Sequence, residues 1–304
     1  MLKNNNDTNN HFTADGALIM NPPEQKMHWL SFLPFERFSS NAVVSVLRLS
    51  GVIGKVGMRG GLTLESLNES IEKTFKTPKL KAVCLVINSP GGSPVQSELI
   101  ASRIMSLAKE KDVPVYSFVE DVAASGGYWL ACAADEIYAS KSSIVGSIGV
   151  ISSGFGFHSA IEKLGIERRV YTEGKSKSVL DPFQEAKASD IKLLRGLQQE
   201  VHEHFINHVK ARRKGKLTQD DDILFNGEFW AGKNAVDFGL VDGIDDMYSF
   251  IKRKFGDKVK IEYMTPKQSW FKKKLGIEGQ AQEILSAIVT NLRQEVALQR
   301  FDLG

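Results

Sequence analysis

Ser125 is a hydroxyl with unusually small neighbours. It lies in Asp121-Val-Ala-Ala-Ser-Gly-Gly-Tyr-Trp-Leu130, between two alanines and two glycines. The apolar stretch Val113-Pro-Val-Tyr-Ser-Phe-Val119 precedes it. This order predicts a strand, a tight turn carrying one hydroxyl, and a helix rich in small residues. A serine on such a turn projects its Oγ outward, and small neighbours let a substrate carbonyl approach. The amides of Gly126 and Gly127 then sit at the positive end of the helix, where a developing oxyanion is stabilised. The Gly-x-Ser-x-Gly elbow is not matched, because position 123 is alanine. A close-packed helix start needs the same small side chains, so these residues alone also fit a structural role.

A serine that cuts amides needs a base and an oxyanion site. The turn Ser89-Pro90-Gly91-Gly92 closes a second apolar run and could offer the amide of Gly92 as an oxyanion donor, or be a plain turn with permissive glycines. For the base there are two candidates. His158 is the histidine nearest in sequence to the core elements. The alternative is a lysine in Gly174-Lys-Ser-Lys-Ser-Val-Leu-Asp-Pro-Phe183, since a lysine serves as base where burial disfavours its ammonium form. From spacing alone that loop is an ordinary basic turn. His204 and His208 stand four apart, a spacing that suits a metal, but no carboxylate motif accompanies them and a solvated helix face is expected.

The elements that must position these groups alternate. Ala42–Ile53, Lys81–Ile87, the run at 113–119 and Glu136–Ala139 read as strands, the second nearly all apolar as in a sheet covered on both faces. Helices are expected at Leu62–Phe75, Glu98–Ala108, after Ser125, at Ser159–Leu164 and from Ala188 to about Arg213. A further strand is expected at Glu167–Tyr171. Strands alternating with helices indicate an α/β layered fold. With 304 residues, of which 42% are hydrophobic and 25% charged, the chain can bury a large core. A net charge of +3 is too small to indicate nucleic acid as partner. Cys84 and Cys132 read as buried free thiols. No apolar run is long enough to span a bilayer, and the polar N-terminus lacks the core of a secretory signal, so a cytoplasmic protein is expected.

Residues 1–26, Asn-rich with Pro22 and Pro23, are expected to be a disordered leader. The aromatic segment 27–40 spaces Trp29, Phe32, Phe35 and Phe38 by three around Pro34. It either docks on the body or a neighbouring subunit, or lies as a peripheral anchor on the inner face of a membrane through residues 27–38. The catalytic domain is read as 41–265. Residues 266–304 form an amphipathic tail with Ile284, Leu285, Ile288, Leu292 and Val296 on one face, suited to docking or assembly.

Taken together, the motifs resemble the bacterial signal peptide peptidase A family. Asn88-Ser-Pro-Gly-Gly-Ser93, Val122-Ala-Ala-Ser-Gly-Gly-Tyr128, Val145-Gly-Ser-Ile-Gly-Val150, Gly174-Lys-Ser-Lys-Ser178 and Gly227–Asp242 stand in the family's order, over roughly residues 43 to 245. The resemblance implies a Clp protease/crotonase-like fold and a serine–lysine endopeptidase without cofactor or metal. Ser125 corresponds to the nucleophile, Lys177 to the general base and Ser147 to the residue that orients the base. Gly92 and Gly126 correspond to the oxyanion donors, and Lys175 has no counterpart. Extended hydrophobic peptides, such as cleaved signal peptides, would add as a strand beside the segments after Gly92 and Gly149. A single domain carrying both Ser125 and Lys177 resembles the short form, which closes into a homo-oligomeric ring. Two rival readings stand beside it: a crotonase-like acyl-CoA enzyme that keeps the fold and uses the glycine amides, and a non-catalytic ring-forming scaffold.

Overall fold

A computed structural model describes residues 42–55, 61–174 and 176–264 of the chain. The expected leader, aromatic segment and amphipathic tail lie outside these residues, as does Lys175. Three apolar runs build the centre of the sheet: β1 (Val43–Ser50), β2 (Leu80–Ser89) and β3 (Val115–Ala124). They are parallel, with Val46 beside Cys84 and Cys84 beside Tyr116. The other strands are β4 (Glu136–Ala139), β5 (Ile144–Gly146), β6 (Phe229–Ala231), β7 (Gly243–Ile244) and β8 (Lys260–Met264). The order is β6-β5-β3-β2-β1-β8, with β4 joining β3 to β7, and among the described strands only the β5–β6 pair is antiparallel.

Both faces of the central strands are covered, which is why their sequences are apolar at consecutive positions. On one face Leu47, Leu49, Val83, Leu85 and Ile87 pack under α1 (Leu64–Phe75), α2 (Pro94–Lys111) and α3 (Gly126–Ala131). On the other, Val44, Val46, Cys84, Tyr116 and Phe118 meet Met247, Phe250 and Ile251 of α8 (Met247–Phe255). The α1 stripe Leu67, Ile71, Phe75 is buried as its spacing requires, and Thr63 and Ser66 close a reciprocal cap at its start. α2 begins four residues before the expected Glu98, because Ser93 caps it and Pro94 fits the first turn. Cys84 and Cys132 are buried and unpaired, and burial pushes both thiols up to about 12. Neither is a nucleophile at neutral pH.

β3 changes partners along its length. Tyr116–Val119 pair with β4, whereas Val122–Ala124 pair with β5 on the same edge. The break falls at Glu120–Asp121, where β3 also shifts register against β2 between Ile87 and Ser89.

The expected strand at Glu167–Tyr171 is absent: these residues have no regular structure, and Tyr171 is 91% exposed. Its β-formers have no sheet edge beside them, and a strand without a partner leaves its backbone groups unpaired. The short helix is α4 (His158–Lys163), and none of the described residues from 151 to 200 is buried.

The long helix α5 (Ala188–Arg212) reaches the body only through its second half, where Phe205 and Val209 are buried. Its polar side chains bond backbone carbonyls there. His202 donates to Ile148 O at 3.1 Å and His208 to Trp129 O at 3.3 Å, while Arg212 donates to Cys132 O and Ala134 O at 2.8 and 2.9 Å. The last three satisfy carbonyls left open at and after the end of α3, while His202 holds one in the segment after β5. The next residue, Arg213, is 1% exposed and bonds Gly239 O and Asp242 of the segment between α7 (Gly232–Asp237) and β7. A further short helix among the described residues is α6 (Asp221–Leu224).

The solvated face expected for His204 and His208 therefore fails at His208, whose ring stacks on Trp129 at 4.8 Å. Burial holds its pKa down, to about 4. The unfolded chain binds this proton from about pH 6.5 downward while the folded chain resists it, so stability is present above that pH and falls as pH drops towards 4. The expected share is on the order of 3 kcal/mol, read by urea unfolding at pH 7.5 and 4.5. His208→Gln, which keeps a donor for Trp129 O, should remove this share.

Candidate active site

The turn after β3 holds Ser125 in a conformation that L residues avoid, with φ 51° and ψ −123°. Such a residue costs about 1–3 kcal/mol and persists only where its surroundings enforce it. Here the Ser125 N–H donates to Gly146 O at 2.8 Å, and Ser125 O accepts from Tyr128 and Trp129 N–H at 2.9 and 3.1 Å. The side chain does not cap α3. Among the described residues the Ser125 hydroxyl has no hydrogen-bond partner, so the backbone is committed and the oxygen is free.

The small neighbours have a structural reason as well. A Cβ on Gly127 would lie 2.3 Å from Ser89 O, and one on Gly126 would lie 2.4 Å from Ser97 Oγ. The first turn of α3 thus sits directly on the end of β2 and against the start of α2, as the close-packing reading expects. That reading leaves two donors unexplained. Gly92 bridges Ile53, but through its neighbours: Ile53 N–H donates to Gly91 O at 2.8 Å and Ser93 N–H to Ile53 O at 2.9 Å. The N–H of Gly92 itself points away from Ile53 and, among the described residues, finds no acceptor. The N–H of Gly126 likewise finds no acceptor among the described residues. The two amides are close, since a Cβ on Gly126 would stand 3.4 Å from Gly92 N.

Ser147 joins this group through the sheet. Ala124 pairs with Gly146, so Ser125 and Ser147 are the next residues on adjacent strands. Ser147 also has a positive φ, 53°, and its N–H donates to Glu228 O at 2.6 Å. An open cleft of about 720 Å³ starts at Ser93 and is lined by Leu64, Asn68, Gln96 and Leu99.

Ser125, Ser147, Gly92 and Gly126 are thus brought together. Lys177 is placed differently: it is exposed in the turn at 176–180, with its N–H on Gly174 O at 3.2 Å. No hydrogen bond or ion pair joins its ammonium group to either serine among the described residues. His158, the other candidate base, is exposed at the start of α4 and among the described residues its ring bonds only Ser159, at 3.0 Å. Two residues that sequence reasoning passes over stand close to these groups. His202 holds the carbonyl next to Ser147, and Asp181 gathers the Lys177 turn. Neither has a local motif, because His202 acts on a remote carbonyl and Asp181 on the groups of an irregular loop.

Comparison with known proteins follows the same outline. The sequence model of Peptidase family S49 matches residues 107–262, a stretch that includes Ser125, Ser147 and Lys177. The Na(+)/H(+) antiporter NhaA of Brucella melitensis is 51% identical over 234 residues, covering 76% of this chain and 32% of that protein. The putative signal peptide peptidase SppA of Enterococcus faecium is 32% identical over 238 residues, covering 75% of this chain and 69% of that protein. Protease 4 of Salmonella typhi is 36% identical over 172 residues, covering 56% of this chain and 27% of that protein. The chain spans about a third of the length of the first of these relatives. Among the described residues no helix is long and apolar enough to cross a membrane. The parallel sheet with helices on both faces is the Clp protease/crotonase-like fold that the motifs imply. With a family model over half its length and an SppA relative matched over most of its own, this chain belongs to peptidase family S49.

Proposed function

We propose that this chain is a serine endopeptidase that hydrolyses short or unfolded hydrophobic peptides, such as cleaved signal peptides, with Ser125 as nucleophile and Lys177 as general base. The observation that carries the reading is the strained Ser125, its hydroxyl free, beside the two unpaired N–H groups of Gly92 and Gly126. A peptide pairing along the segments after Gly92 and Gly149 brings its scissile carbonyl to Ser125. Oγ attacks the carbonyl carbon, and its proton passes to a neutral Lys177 Nζ. The carbonyl oxygen, now an anion, is held by the two amides. Collapse expels the amine, which takes the proton from Lys177, and water then hydrolyses the acyl ester with Lys177 again as base. The Ser147 hydroxyl orients the lysine, the third member of a generalised triad.

The base comes from a second copy in this reading. Ile151, Phe155, Leu164 and Leu197 are 58–87% exposed in a segment without a buried residue, more apolar surface than a lone chain leaves bare. A closed homo-oligomeric ring covers it and takes Lys177 out of water, the condition under which a lysine can be a base.

The reading is tested with a serine-directed fluorophosphonate and a fluorogenic apolar peptide, applied to the full chain. The expected result is a covalent adduct at Ser125 and cleavage of the peptide. Turnover of an acyl-CoA without labelling would give the site to crotonase-like chemistry, and a folded but inert protein would make it a scaffold.

A further inference from the structure

A segment without a core must fix its turns by polar contacts. In the Lys177 turn most of these converge on one carboxylate. The side chain of Asp181 is only 4% exposed, although its surroundings are open. One oxygen accepts from Arg168 Nε and Nη2 at 3.2 and 3.0 Å and from Ser178 Oγ at 3.3 Å. The other accepts the Phe183 N–H at 3.0 Å. The Arg168 guanidinium also lies 5.3 Å over the Phe183 ring, closing the loop from outside. Leu180, at φ 53°, donates its N–H to Asp190 at 3.2 Å. Residues on the C-terminal side of Lys177 are thus pinned, and its own N–H is pinned to Gly174. The ammonium group is left unpaired among the described residues and ready for another partner.

We propose that Asp181 is a positioning residue for Lys177, fixing the turn from which the lysine reaches the reacting serine. The inference rests on Lys177 being the base. The carboxyl suits this role, because the Phe183 amide and then the Arg168 guanidinium hold its pKa below the usual range. It is therefore ionised throughout the pH range in which a lysine base works. A base displaced by about 1 Å costs about 10²-fold in rate, while a peptide bound along other segments loses little affinity.

The experiment measures kcat and KM of the assembled full chain on an apolar peptide. Asp181→Ala is expected to lower kcat about ten- to a hundred-fold with KM within about two-fold. Asp181→Asn, which keeps one acceptor oxygen, and Arg168→Met, which keeps the carboxylate, should lose less in the same direction. Circular dichroism and ring size should match wild type. The decisive arm uses Lys177→Ala as background: if Asp181 acts only through the lysine, Asp181→Asn lowers the residual rate no further. A further drop there, or kcat and KM changing together, would make the role structural and overturn the inference. A dead Lys177→Ala beside a fully active Asp181→Ala overturns the inference alone. An active Lys177→Ala removes the reading of the base, and the inference with it.

Discussion

Ser125→Ala and Lys177→Ala should each lower peptide turnover by about 10⁴- to 10⁶-fold, and the double variant should be no worse than either. A nucleophile and its base act in one step, so removing one makes the other useless. On the proposed mechanism, what remains is the background from substrate binding and the Gly92 and Gly126 amides. The alanine at 125 is tolerated poorly by the backbone, since φ 51° suits it no better than serine, but it removes only an oxygen that bonds nothing among the described residues. Folding should therefore survive. His158→Ala should keep activity within a few-fold, because that ring is exposed and among the described residues bonds only Ser159. Steady-state assays on all four proteins, with circular dichroism as control, decide the matter. A folded but dead His158→Ala beside an active Lys177→Ala would replace the dyad by a histidine triad.

Mixing the two dead variants should restore activity. In the proposed ring each site takes its serine from one copy and its lysine from the next. If Ser125→Ala and Lys177→Ala chains are co-expressed equally and assemble at random, about a quarter of the interfaces join an intact serine to an intact lysine. Recovery of roughly a quarter of wild-type turnover is expected, from two proteins that are each inert. Two affinity tags, applied in sequence, isolate rings that contain both chains. No recovery in such rings would return both residues to a single subunit.

The central strands are legible in the sequence because they are buried on both faces, so that Ala82–Ile87 reads as continuous apolar residues whatever its neighbours are, whereas β6, β7 and β8 are short and half-exposed and carry no such run. The Ser125 turn is legible because small residues are needed on both sides of it. Glu167–Tyr171 misleads since β-propensity does not reveal whether a strand partner exists. His208 misleads since its burial depends on Trp129, a residue on another helix that no periodicity of α5 announces. The Gly92 N–H is legible only as one of two alternatives for its turn, because its being left without an acceptor among the described residues depends on Ile53 occupying the other side. The tie between Lys177 and Ser125 comes from family resemblance, and the described single chain contains no bond between them.

The fork in β3 divides one strand between two kinds of constraint. Up to Val119 the strand fills the interior between β2 and β4, where a side chain is judged by volume and shape, and Tyr116 and Phe118 are large. From Val122 onward it forms the floor beneath Ser125 and next to β5, where bulk is excluded and alanines follow. The break at Glu120–Asp121 insulates one from the other. Drift in the lower half is free to repack the interior without tilting the proposed nucleophile, and the upper half can be rebuilt around Ser125 without unravelling the sheet. A lineage built on this strand can thus change its chemistry and its core on separate schedules.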